Sequence, residues 1–201
     1  EQNAVTMCAG MAKNGLKPFV SIYSSFYQRC FDQVIADVCL QNLPVVLCVD
    51  RAGIVGQDGE THQGIFDLAF FNTVPNLKVL APKDFKELEQ MLEFSYNYKG
   101  PICIRYPRGG ENKNVTFEKH EPILEGVTEI IKQHENASIT IIAIGKMVAR
   151  AVEVTNILES KDLKINIVNS RFLDFKNDKK LLELLNKTKY LFTIEDGISI
   201  G

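Results

Sequence analysis

The sequence predicts an α/β protein with parallel sheets flanked by helices. Two observations carry this. Short apolar runs alternate with helical stripes along most of the chain. The alternation stops at a polar, glycine-rich stretch and then restarts. Strands separated by helices imply βαβ units, right-handed crossovers and parallel pairing.

The elements follow in order. Ala4, Met7, Cys8 and Met11 recur at i, i+3, i+4 and i+7, the stripe of an amphipathic helix. Asn14-Gly15 ends it, with Gly15 suited to a left-handed cap. Pro18 to Ile22 reads as a buried strand, and Phe31, Val34, Ile35, Val38 and Cys39 mark a second helix. Pro44 to Val49 is a second strand, with its proline at the edge. A polar loop from Arg51 to Gly64 follows. Leu77 to Leu80 is a third strand, and Asp84 is placed to cap a helix carrying Leu88, Met91 and Leu92. Ile102 to Tyr106 is a fourth strand, stopped by Pro107.

Residues 1–110 are therefore expected to form one domain, 111–125 a linker and 126–201 a second, incomplete domain. The second contains strands at Ser138–Ile144, Leu163–Val168 and Tyr190–Ile194, with helices at Met147–Leu158 and Leu181–Leu185. A start at Glu1 and an end just past a strand lead to the expectation of a piece cut at both ends.

Composition narrows the function. A formal net charge of −2 argues against a general nucleic-acid or membrane-surface binder. No apolar run reaches the roughly 18 residues that span a bilayer. Cys8, Cys30, Cys39, Cys48 and Cys103 sit in apolar segments with no C-x-x-C pair, which reads as buried, reduced cysteines of a cytosolic protein. His120 and His134 are expected to be solvated.

In open parallel sheets, ligands bind beyond the carboxyl ends of the strands. After the first strand stand Tyr23, Phe26 and Arg29. After the second come Asp50, Arg51, Asp58, Glu60 and His62, and after the fourth Arg108. The third contributes only Lys83. Arginine's planar fork grips phosphate or carboxylate, so the set suits an anionic ligand. The alternative is that Arg51 and Arg108 are surface arginines paired with nearby acids. The loop lacks the Gly-Lys-Ser/Thr ending of a P-loop and does not run from strand to helix in Rossmann fashion. Asp58, Glu60 and His62 lack a second histidine nearby, so no metal site is expected. Glu1 by spacing alone reads as an acid complementing a helix dipole.

Four motifs together resemble the 1-deoxy-D-xylulose 5-phosphate synthase family of the transketolase superfamily. They are Glu1 to Thr6, Tyr23-Ser24-Ser25-Phe26-Tyr27-Gln28-Arg29, the whole loop Asp50-Arg51 through Asp58 and His62 to Gly64, and Arg105-Tyr106-Pro107-Arg108-Gly109. The resemblance implies a thiamine-diphosphate (pyrimidine-type) domain and a transketolase C-terminal-like α/β domain. It implies that Glu1 hydrogen-bonds the aminopyrimidine ring and that Phe26 stacks on it. Tyr23, Arg51 and Arg108 would grip an acceptor phosphate, with Arg29 a further pocket member. Asp58 and His62 would orient the donor and move protons.

The implied reaction condenses pyruvate with glyceraldehyde 3-phosphate to 1-deoxy-D-xylulose 5-phosphate, with loss of CO2. It opens a non-mevalonate isoprenoid route that also feeds thiamine and pyridoxal synthesis. Mg2+ ligands would lie in a first domain absent from this sequence. The resemblance further implies a homodimer in the cytoplasm, or in a plastid-type organelle of a eukaryote. The alternatives are another superfamily enzyme, either a transketolase or the β-subunit of a 2-oxo acid dehydrogenase, and an inactive dimerising module.

Overall fold

The structure, a computed structural model, describes residues 1–175 and 178–200; Lys176, Asn177 and Gly201 lie outside the described residues. The chain divides into two compact units. The first comprises Glu1–Leu80, Met91–Gly109 and the residues from Asp196 onward; the second comprises Ala81–Gln90 and Gly110–Glu195. No helix among the described residues is long and apolar enough to cross a membrane.

The first unit has a fully parallel sheet in the order β1-β2-β4-β3. Its strands are β1 (Phe19–Tyr23), β2 (Val46–Asp50), β3 (Lys78–Leu80) and β4 (Ile102–Arg105). β2 and β4 are central and buried almost throughout. Their continuous apolar runs reflect a sheet covered on both faces.

Helix α1 (Gln2–Lys13) ends as expected, with Gly15 at φ 86°. Its buried face differs from the predicted stripe. Val5, Cys8, Ala9 and Ala12 are buried, whereas Met7 and Met11 are exposed. Both sets have helical spacing; the one with small residues faces inward, where the backbone can approach its neighbours closely.

The segment after β1 forms a short helix α2 (Ser24–Tyr27), which apolar periodicity did not reveal. A 3-10 turn (Gln28–Cys30), the single turn α3 (Phe31–Gln33) and a π-helical stretch (Val34–Cys39) follow. In the wider π turn Leu40 N donates to Ile35 O at 2.9 Å, and Val34, Val38 and Cys39 are still buried. Helix α4 (Asp67–Asn72) also lacked a clear sequence signal. All five cysteines are buried and unpaired, as expected.

Helix α5 (Phe85–Asn97) is capped as predicted, with Glu87 N donating to Asp84 Oδ1 at 2.8 Å. The second unit's sheet has the order β5-β7-β6-β8. β6 (Ile139–Ala143) is parallel to β7 (Ile165–Asn169) and β8 (Tyr190–Ile194). β5 (Glu129–Lys132), not expected from the sequence, runs antiparallel to β7. Ile141, Ala143, Ile165 and Ile167 pack with Val148 and Ala151 of α6 (Met147–Glu159). Leu181 and Leu184 of α7 (Lys179–Leu185) pack on Ile142 and Val168.

Three expectations need correction in this unit. His120 is not simply solvated: its Nε2 lies 2.6 Å from Asp84 Oδ2. His134 Nε2 lies 2.8 Å from Glu159 Oε1. Lys83 does not join the strand-end residues, because it is buried with Glu87 and Glu129, with Nζ 3.3 Å and 2.7 Å from their carboxylates. Arg171 completes that cluster, with Nε 2.8 Å from Glu87 and Nη2 3.1 Å from Glu129. A buried cation needs such partners, since an isolated charge loses its hydration.

Candidate active site

The site grows from the carboxyl edge of the first unit's sheet. Tyr23 closes β1 and Asp50 closes β2, and the two are register partners. Val49 pairs with Arg105 at the end of β4. Parallel pairing therefore brings three chain exits to one edge. From there Tyr23 leads into α2, Asp50 into the long loop, and Arg105 into Tyr106-Pro107-Arg108.

The loop is closed at its base and braced across its middle. Gly53 N donates to Gly64 O at 2.7 Å, and Gly64 N returns a bond to Gly53 O at 2.8 Å. A Cβ on Gly64 would lie 2.3 Å from Arg51 O, so only glycine fits there. The Gln63 side chain spans the loop, accepting from Val55 N at 2.8 Å and donating to Val55 O at 2.8 Å and Gly59 O at 2.7 Å. A 3-10 turn (Glu60–His62) presents His62, whose Nδ1 lies 2.8 Å from Thr61 Oγ1.

On this frame the predicted residues form one continuous set of contacts. Glu1 does not cap α1 with its side chain; its carboxylate lies 3.5 Å from Arg29 Nη1. The Arg29 guanidinium stands 4.9 Å from the Phe26 ring centroid. Phe26 stacks on Tyr23, with centroids 5.5 Å apart at 21°, and meets His62 edge-on at 5.2 Å. Arg51 covers Tyr23, its guanidinium carbon 3.8 Å from the ring centroid. Such cation–π contacts contribute about 0.5–1 kcal/mol where exposed and more when desolvated.

Asp58 joins the remaining members. Arg51 Nε donates to Asp58 Oδ2 at 2.7 Å, and Arg108 Nη1 donates to Asp58 Oδ1. Arg51 Nη1 also donates to Asp50 at 2.9 Å. Partial burial works against the Arg51 charge, but the bond to Asp58 and the nearby Tyr23 and Asp50 hold its pKa above the usual value. The pairing with acids held open for these arginines is thus present, and it also collects both at the sheet edge. Among the described residues Arg51 Nη2 is uncommitted, and Arg108 donates only through Nη1. Donors therefore remain for an incoming anion.

The sequence reading missed a charged layer in the same unit. Arg105 is buried, with Nε 3.1 Å from Asp67 Oδ2 and Nη1 2.9 Å from Asp196 Oδ1. The two carboxylates overcome the effect of burial and raise the Arg105 pKa. No spacing rule links positions 67, 105 and 196. Among the described residues no group of three or more His, Cys, Asp or Glu is arranged to hold a metal ion.

Residues 1–112 match the family described as the transketolase pyrimidine-binding domain, and residues 128–201 match the transketolase C-terminal domain. The chain belongs to the transketolase family. A 1-deoxy-D-xylulose-5-phosphate synthase of Clostridium perfringens (strain SM101) is 49% identical over 203 residues, and one of Dictyoglomus turgidum is 49% identical over 204. Each match covers all of this transketolase-family chain and 32% of the relative, so the chain spans about a third of their length. A solved structure of a split-gene transketolase, an inactive β4 tetramer, superposes with a TM-score of 0.86 at 28% identity, covering 98% of this chain and 63% of that one.

The pyrimidine-binding match implies thiamine diphosphate. Glu1 and Phe26, a carboxylate and an aromatic ring of the kinds an aminopyrimidine would meet, both contact the Arg29 side chain, which is 65% exposed.

Proposed function

We propose that this chain is the aminopyrimidine-binding part of an enzyme that condenses pyruvate with glyceraldehyde 3-phosphate, giving 1-deoxy-D-xylulose 5-phosphate and CO2. Thiamine diphosphate, when bound, supplies the electron sink for decarboxylating the 2-oxo acid and joining its remaining carbons to the aldehyde. Glu1 accepts a hydrogen bond at the pyrimidine ring, and Phe26 offers its ring as a stacking surface. Arg51, Arg108 and Tyr23 receive the acceptor phosphate, and Arg29 lines the same pocket. His62 and Asp58 orient the donor and move protons.

The observation that carries this reading is the shared carboxylate: Asp58 holds Arg51 and Arg108 together beside the Tyr23–Phe26–His62 cluster. Preorganised donors of this kind hold phosphate without having to be gathered on binding. Identity of 49% to two 1-deoxy-D-xylulose-5-phosphate synthases supports the same substrates.

The complete enzyme is a cytoplasmic homodimer in this proposal, with Mg2+ held by residues outside this span. The span alone is inactive, a state already known for the β4 tetramer of the split-gene transketolase. Incubating the complete protein with pyruvate and glyceraldehyde 3-phosphate tests the reaction: CO2 and 1-deoxy-D-xylulose 5-phosphate should form one to one. Turnover of a ketose phosphate donor in place of pyruvate would instead make it a transketolase.

A further inference from the structure

The loop that carries Arg51, Asp58 and His62 rests on a residue far from it in sequence. Asp196 is buried, and a Cβ placed on Gly53 would lie 1.7 Å from its Oδ2 and 2.4 Å from its Cγ. Gly53 is also at φ 77°, in the left-handed region, so the backbone there both demands glycine and abuts a carboxylate. Two residues on, Ile198 N donates to Ile65 O at 3.0 Å, just past the other foot of the loop. The stretch from Asp196 to Ile198 thus meets Gly53 at one foot of the bridge and Ile65, the residue after Gly64, at the other.

The carboxylate is itself fixed. Arg105 Nη1 holds Asp196 Oδ1 at 2.9 Å, while Arg105 Nε is held by Asp67 at 3.1 Å. Asp67 in turn accepts from its neighbour Leu68 N at 2.7 Å, at the start of α4. Arg105 ends β4, three residues before Arg108. The loop needs such a seat, because Arg51 adopts a left-handed backbone, φ 55°, which disfavours a side-chain-bearing residue by roughly 1–2 kcal/mol. Ala52 N, bonded to Tyr106 O at 3.0 Å, is the other tie next to that turn.

We propose that Asp196 is a positioning residue: held by Arg105, it fills the space over Gly53 and sets the loop so that Arg51, Asp58 and His62 meet Arg108, Tyr23 and Phe26 in working geometry. It touches neither substrate nor cofactor. The proposal rests on the function proposed above only in taking the acceptor to be a phosphorylated aldehyde.

The test uses the complete protein with Asp196→Ala, Asp196→Asn, Gly53→Ala and the Gly53→Ala/Asp196→Ala pair. The ratio of kcat/KM for glyceraldehyde 3-phosphate to that for glyceraldehyde should fall roughly 10- to 100-fold in Asp196→Ala, the scale of loss when a binding group is misplaced by about an ångström. Hydrogen exchange in peptides spanning residues 53–64 should quicken in the same variant. Asp196→Asn, which keeps the shape, should retain most of both properties; it also serves if the alanine variant does not fold.

Gly53→Ala should be damaging alone and clearly less damaging once Asp196 is alanine, since the carboxylate it collides with is then gone and only the cost of a side chain at φ 77° remains. A lowered melting temperature with unchanged selectivity and loop exchange would overturn the proposal, as would a Gly53→Ala effect of equal size in both backgrounds. Absence of turnover in the unmodified protein would sink the proposed function instead. Loop exchange and the Gly53–Asp196 coupling, read by exchange, would still decide the role of Asp196.

Discussion

Asp58 accepts a hydrogen bond from Arg51 Nε at 2.7 Å through one carboxylate oxygen, leaving the other to meet Arg108. One acid therefore spaces two cations that reach it from different strands. Its side chain is 13% exposed, against 40% for Arg108, so the acid lies deeper than the guanidinium it holds. Asp58→Asn keeps the volume and removes the charge. Hydrogen bonds to charged groups contribute about 1.5–3 kcal/mol each, so acceptor kcat/KM in the complete enzyme should drop at least about tenfold. An unchanged value would separate Asp58 from the grip.

Glu1 is aimed away from its own helix and toward Arg29. Glu1→Ala in the complete enzyme should lower turnover roughly 10²- to 10⁴-fold, the usual contribution of a positioned proton-transfer partner. Circular dichroism and melting should barely change, because the helix loses no capping bond. Turnover equal to the unmodified enzyme would remove Glu1 from the chemistry.

How much of this was readable beforehand varied with the kind of interaction. Strands were legible because β2 and β4 are continuous apolar runs, and Tyr190–Ile194 appeared at its observed bounds. The face of α1 was not, because two interleaved sets, one with Met7 and one with Ala9, share helical spacing and only packing chooses between them. β5 escaped because its four residues, Glu129 to Lys132, mix charge with only two apolar positions. In the site, the residues that follow β1, β2 and β4 stand where the parallel-sheet rule puts them, whereas Lys83, after β3, is instead buried with Glu87 and Glu129. Arg105, Asp67 and Asp196 gave no such signal, since their link is made only when the chain folds.

The buried ions of the second unit lead to an acid-side prediction. Burial raises the Glu129 pKa, but the bond from Lys83 and the Arg171 charge outweigh it and hold the group below the ordinary glutamate value of 4.5. A depressed carboxylate stabilises the fold above the unfolded value and loses that contribution as pH falls below it. Glu129→Ala should destabilise the protein by about 3–5 kcal/mol at neutral pH, because it leaves buried cations short of a partner. Urea midpoints should therefore differ strongly at about pH 7 and draw together progressively as pH falls below 4.5. Equal midpoints at neutral pH would contradict the account.

Buried thiols govern the alkaline side. Burial pushes Cys30 and Cys48 up to about 11 and Cys39 up to about 12. The folded state then keeps protons that the unfolded chain releases from the ordinary thiol value of 9.0, so stability falls as pH rises through that window. Lys17 works in the opposite direction, since burial and then Lys99 lower its amine to about 8 and its charge is shed earlier in the folded state. Each thiol contributes a slope of at most about 1.4 kcal/mol per pH unit and the partly exposed Lys17 less, so three thiols outweigh one amine. The urea midpoint should drop between about pH 9 and pH 10.5; a midpoint that rises over that interval would show the thiols to be exposed.

In this proposal the residues beyond the carboxyl edge of the first sheet receive a phosphate, and Arg108 gives the sharpest readout of it. In the complete enzyme, Arg108→Ala should reduce the preference for glyceraldehyde 3-phosphate over glyceraldehyde by at least about tenfold, with use of pyruvate little affected. An unreduced preference would mean that Arg108 and the carboxylate it shares with Arg51 serve some other purpose.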